Sequence, residues 1–144
     1  MNEIELVRQF LSELSEWEML AARLDDELEK LENEKIFHQK NKEYYELARS
    51  GLDKIFQTYA TRKALKHSCS NLESQCYGRP PYHSVVEIVG AVQEKEGVAV
   101  LLMLPHASFP DWQRKYIVKK ENNALKIDGM YMLYPKKGWV KEDF

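Results

Sequence analysis

Apolar residues in the first part of the chain recur at helical spacing. Val7, Phe10, Leu14, Trp17, Ala21, Leu24, Leu28 and Leu31 alternate intervals of three and four over four heptads without a polar interruption. That is a coiled-coil seam. Residues 3–35 contain no Gly or Pro and few β-branched side chains, which favours helix throughout. Ile4, Leu6, Leu11, Met19 and Leu20 widen the stripe, so docking on a broader core is the alternative. A helix over 3–35 would be about 50 Å long. Part of it must therefore pack on a second helix or a second chain.

Beyond Leu31 the seam loses phase, with Lys35, His38 and Lys42 where apolar residues belong. A new helical stripe follows at Tyr45, Ala48, Leu52, Ile55, Phe56 and Tyr59. The stretch 32–42 is the expected place for a bend or hairpin turn; lacking Gly and Pro, it also allows a continuous helix with a stutter. Ser50-Gly51-Leu52-Asp53 has the form of a capping box and predicts a helix start there, running to about Lys66.

Residues 67–81, Ser-rich and ending in Gly-Arg-Pro-Pro, read as a loop. Strand patterns follow over Tyr82–Gln93, Val98–Leu104, Gln113–Lys120 and Leu125–Tyr134, with a short fifth around Trp139-Val140. Val98–Leu104 is continuously apolar, which predicts burial on both faces. Glu94–Gly97 and Glu121-Asn122-Asn123 read as tight turns, and Pro135–Gly138 as another. Helices first and an antiparallel meander after them predict an α+β domain, with the helices against one face of a curved sheet.

Composition is that of a globular protein, 44% hydrophobic and 31% charged. No apolar run approaches the roughly 20 residues of a membrane span, and the N-terminus has acids where a signal peptide needs bases. A cytoplasmic protein with Cys69 and Cys76 as free thiols is the expectation. The net charge of −2 is uneven: residues 1–34 carry eleven acids and three bases. The basic excess over the remainder is scattered, without an Arg-rich tract, so nucleic acid is not an expected partner.

Candidate chemistry is thin. His67, Cys69, Cys76 and His83 lie close in sequence, but Cys-x6-Cys is not zinc-site spacing, and no metal or cofactor is expected. Nothing around Cys69 supplies the environment that activates a thiolate. The enzymatic alternative is a small pocket enzyme or ligand binder using Asp128 as a carboxylate in an apolar pocket, with a tyrosine such as Tyr59 as donor. Strict alternation instead puts Asp128 with Lys126 on a wet face. The third strand places Trp112, Arg114, Tyr116 and Val118 on one face, and Trp, Tyr and Arg are enriched at binding hot spots. Trp112, Arg114, Asp128, Tyr134 and Arg79 are the candidate partner-binding residues, while Tyr116, Ile127 and Trp139 read as scaffold closing the sheet on its helices.

Ile55-Phe56, Thr58-Tyr59, Thr61, Lys63, Pro80-Pro81-Tyr82, Tyr116, Lys119-Lys120, Ile127-Asp128 and Trp139 occur in an order that resembles the nuclear transport factor 2-like immunity proteins of bacterial polymorphic toxin systems. Leu125 stands where that family usually has Trp. The resemblance covers about residues 50–144 and leaves residues 1–49 as a helical extension with a heptad seam. It implies a nuclear transport factor 2-like, cystatin-like cone. It also implies a non-enzymatic cytoplasmic protein that binds and neutralises a cognate toxin domain. The seam adds homodimerisation through the N-terminal helix as a further expectation.

Overall fold

The computed structural model describes residues 1–73, 75, 86–103 and 113–144. Two long helices and a short one precede a five-stranded antiparallel sheet in simple up-and-down order, β1-β2-β3-β4-β5. This is the α+β arrangement the pattern predicts.

Helix α1 spans Glu3–Glu29, about 40 Å at 1.5 Å per residue. Asn2 caps it: its side chain accepts the Glu5 amide at 2.8 Å, and the Glu5 carboxylate accepts the Asn2 amide at 3.1 Å. Helix α2 spans Glu34–Tyr59, with the Asn33 side chain accepting the Ile36 amide at 3.1 Å. The chain thus reverses over Lys30–Asn33, and the hairpin alternative holds over the continuous helix. The capping box at Ser50 does not start a helix, because α2 runs straight through it. The Trp17 ring explains why. It lies against Gly51, where an added Cβ would sit 3.3 Å from its edge, and its indole N–H donates to the Ala48 carbonyl at 2.8 Å. Gly51 is a point of close helix approach, worth its propensity cost of about 1 kcal/mol. Helix α3, Arg62–His67, is separate and is capped by Thr61.

Strand β1 (Glu87–Gln93) pairs with β2 (Val98–Met103), β2 with β3 (Gln113–Glu121), β3 with β4 (Ala124–Tyr134) and β4 with β5 (Gly138–Glu142). The β3–β4 turn has two residues, Asn122 and Asn123, with φ of 54° and 65°. Two positive φ values suit the sheet's right-handed twist, and Asn tolerates them. The parts of the first two expected strands at Tyr82–Val85 and Leu104 lie outside the described residues. Strand β2 is buried at Ala99, Val100 and Leu102 and partly open at Val98, Leu101 and Met103, so the burial expected on both faces is incomplete.

The helices lie on one face of the sheet. Phe10 stands at the centre of the core, its ring 5.6 Å from Tyr59, 5.7 Å from Tyr116, 5.9 Å from Phe144 and 6.4 Å from Phe56. Phe144, the last residue of the chain, is held there by two backbone hydrogen bonds, its amide to Ser68 and its carbonyl from Ser70. The seam residues from Val7 to Leu28 are buried against α2 and the sheet within one chain, so the partner of the seam is intramolecular. The boundary expected at 49/50 falls inside α2, and the first helix supplies the residue at the centre of the core. Residues 1–49 therefore share one core with the sheet.

Candidate partner-binding surface

One irregularity decides which side chains the sheet shows to solvent. From the Asn122-Asn123 turn, β3 and β4 pair in register to Val118↔Ile127, and then the register shifts by one to Ile117↔Gly129. Asp128 is the extra residue of a β-bulge, which changes the facing of everything beyond it. Ile127 faces the helices, as alternation from Leu125 predicts. After the bulge Met130 and Met132 face them too, buried at 4% and 6% exposure, and Tyr131 turns outward opposite Lys115.

The outer face, opposite the helices, is built from Val92, Leu101, Lys115, Tyr131, Leu133, Trp139 and Lys141, placed side by side by the strand registers. Lys115 lies at its centre. The ammonium sits 4.6 Å from the centroid of Trp139 and 5.5 Å from that of Tyr131, and it donates to the Glu94 carboxylate at 2.8 and 3.0 Å. The lysine side chain is only 12% exposed. Cation–π attraction from two rings plus a carboxylate fixes the aromatics with none of the described helices over them. Tyr131 also points its hydroxyl to Glu96 at 3.5 Å. Its pKa is raised by burial first and by Glu96 second, so the phenol stays protonated. Trp139, expected as scaffold against the helices, instead belongs to this outer face. It pairs with Leu133, while its neighbour Val140 pairs with the inward Met132.

The candidates named from the sequence fall elsewhere. Arg114 faces the helices and is 7% exposed; its guanidinium donates to the Tyr116 hydroxyl and contacts the Met132 sulfur, each at 3.3 Å. Asp128 is also 7% exposed. It takes the Thr61 hydroxyl at 2.8 Å on one oxygen and the Lys119 ammonium at 2.9 Å on the other. Thr61 in turn accepts the Ala64 amide at 3.1 Å, and its own amide donates to the Ile127 carbonyl. The cluster ties the α2–α3 junction to the bulge. Burial pushes the Asp128 carboxyl up, but Lys119 and Thr61 outweigh it and leave it below the usual carboxylate range. That suits a fixed anion and not a general base, which needs a raised pKa. Tyr59 does not join it; its pKa is raised by burial and then by Glu13. Tyr134 is half-buried against the core, its hydroxyl donating to Glu142 at 2.7 Å. Trp112 and Arg79 lie outside the described residues.

Cys76 and His83 are likewise outside them. Burial, and then Asp143, pushes the Cys69 thiol up to about 12, which leaves it protonated and unreactive at neutral pH. Among the described residues there is no group of three or more His, Cys, Asp or Glu placed to hold a metal ion. No described helix is long and apolar enough to cross a membrane.

No protein-family model, curated protein or solved structure matches the chain.

Proposed function

We propose that the chain is an immunity-type binding protein with a nuclear transport factor 2-like cone, which neutralises a toxin domain stoichiometrically by covering it with the outer face of its sheet. The carrying observation is the Trp139–Lys115–Tyr131 stack, held by Glu94 on a face that no described helix covers. Rigid, half-buried aromatics ringed by charge are what a tight protein interface uses as anchors. The residues behind the family resemblance support the same reading: Phe56, Tyr59, Tyr116 and Ile127 share one core under that sheet.

The test is rescue. The chain is co-expressed with the toxin domain encoded beside it, in cells that the toxin kills. Wild type restores growth, and a folded Tyr131→Ala, Trp139→Ala variant does not. Failure of wild type to rescue or to bind that domain overturns the reading.

A further inference from the structure

Of the two edges of the sheet, β1 is the bare one. On the far side Ala60 bridges Ile127 of β4, and Phe144, beyond β5, exchanges backbone bonds with Ser68 and Ser70. Among the described residues β1 pairs with β2 alone. Its Val89 and Val92 are 51% and 52% exposed. Residues 88–93 include no Lys, Arg or Pro, the side chains that blunt an open edge. A bulge at Val89 bends the start of the strand, but Gly90, Ala91, Val92 and Gln93 pair with β2 without a break.

Backbone bonding shows which groups of this edge are free. The Glu94 amide donates to the Gly97 carbonyl at 2.8 Å. Bonded and non-bonded pairs alternate along an antiparallel ladder. Val92 and Gly90 therefore bond β2, while Ala91 and Gln93 turn their N–H and C=O to the open side.

We propose that this edge pairs with the same edge of a second copy, antiparallel about Ala91, joining two five-stranded sheets into one. About that axis the two Ala91 residues exchange N–H···O=C bonds, and Gln93 reaches the bulge of the other copy. Val92 of each copy comes opposite Gly90 of the other on the outer face. A Cβ on Gly90 would meet nothing within 4 Å, so the exposed valine has room beside bare backbone. Charge permits the match as well. Residues 88–93 are uncharged, and Glu94, which follows them, is already neutralised by Lys115. A nucleic acid or a strongly charged strand finds no counter-charge along this edge, whereas an identical strand needs only backbone and apolar contact. Such a pair is isologous, the arrangement of the commonest homodimers. Its axis runs perpendicular to the sheet, so both outer faces stay on one side. The edge is short, which puts the dimer in the weak class that buries less than about 1,200 Å². The pairing holds whether or not the outer face binds a toxin domain.

The experiment is sedimentation of wild type, Val92→Lys, Ala91→Pro and Met19→Lys from about 5 to 500 μM, with amide exchange of Ala91 followed over the same range. Wild type is expected to pass from monomer to dimer, and its Ala91 amide to exchange more slowly as the dimer forms. Val92→Lys puts a charge on the edge and Ala91→Pro removes its free donor, so each should weaken the dimer about tenfold or more. Met19→Lys, on the first helix, should match wild type. Should Ala91→Pro misfold, Val92→Lys at an exposed site and the Ala91 exchange still decide. A monomer at every concentration overturns the proposal, as does a dimer that both edge variants keep. A dimer broken by Met19→Lys alone belongs to the first helix and overturns it too. A monomeric wild type whose binding of the toxin domain is lost in Val92→Lys gives the edge to a strand of the toxin, again overturning it.

Discussion

The ammonium of Lys115 lies 4.6 Å from the ring centre of Trp139 while bonded to Glu94. The lysine joins three elements, the β1–β2 turn, β3 and β5. Replacing Lys115 by Met keeps the aliphatic stem but removes the charge. Lys115→Met should lower stability by about 1–2 kcal/mol in urea unfolding and shift Trp139 emission. It should also weaken the proposed binding to a toxin domain more than it weakens the fold, since the anchor loses its orientation.

Phe144 and Phe10 define the other side of the sheet. Either truncation to Ala removes a ring from a filled core, and Phe→Ala changes cost about 3–5 kcal/mol. Phe10→Ala and Phe144→Ala should each lower the urea midpoint by amounts in that range. Their double variant should show non-additivity, because the two rings touch. Additive losses would show that the two rings are energetically independent.

Asp128 predicts an acid limb. Its folded pKa lies below the unfolded value of about 3.9. Its contribution is therefore fully present above the unfolded pKa and is lost as pH falls through the folded one. Asp128→Asn should cost roughly 1–3 kcal/mol at pH 7 and should flatten the stability loss below about pH 4. Thr61→Ala should cost about 1–2 kcal/mol through the lost cap and hydrogen bond while keeping most of the acid limb, since Lys119 remains. A pH series of urea unfolding for the three proteins reads both effects.

The helical part was largely legible. The three-four spacing from Val7 to Leu28 reports a face that the structure buries. The sequence did not say whether a second helix or a second chain buries it, because heptad spacing is the same for both. The loss of phase after Leu31 located the hairpin, with Asn33 as the cap. The Ser50 signal misled because a local cap competes with tertiary packing, and Trp17 on Gly51 won. The sheet's faces were less legible. Strict alternation from Ile127 would turn Tyr131 inward and Met130 outward. The bulge at Asp128 reverses both, and no residue type there announces it. Lys115, Tyr131 and Trp139 were each visible as aromatic or charged strand residues, but which of them meet depends on that one-residue shift.

Gly97 closes the β1–β2 turn that carries Glu94. A Cβ there would lie 2.5 Å from the Val118 carbonyl oxygen, a backbone atom that cannot yield cheaply. Gly97→Ala should destabilise by about 1–3 kcal/mol and loosen the Glu94–Lys115 bond. Faster amide exchange over Gln93–Val98 with β4–β5 unchanged is the expected signature. Unchanged exchange in the turn would contradict it.

The central claim, that the outer face of the sheet binds the toxin domain, is tested most directly by calorimetric titration of that domain with Trp139→Ala and Met19→Ala in parallel. Met19 is 61% exposed on the acidic first helix and samples the rival surface. The account predicts a loss of about 2 kcal/mol or more, roughly thirtyfold, for Trp139→Ala, with Met19→Ala indistinguishable from wild type. Full affinity in Trp139→Ala together with weakened binding in Met19→Ala would place the interface on the helices and contradict it.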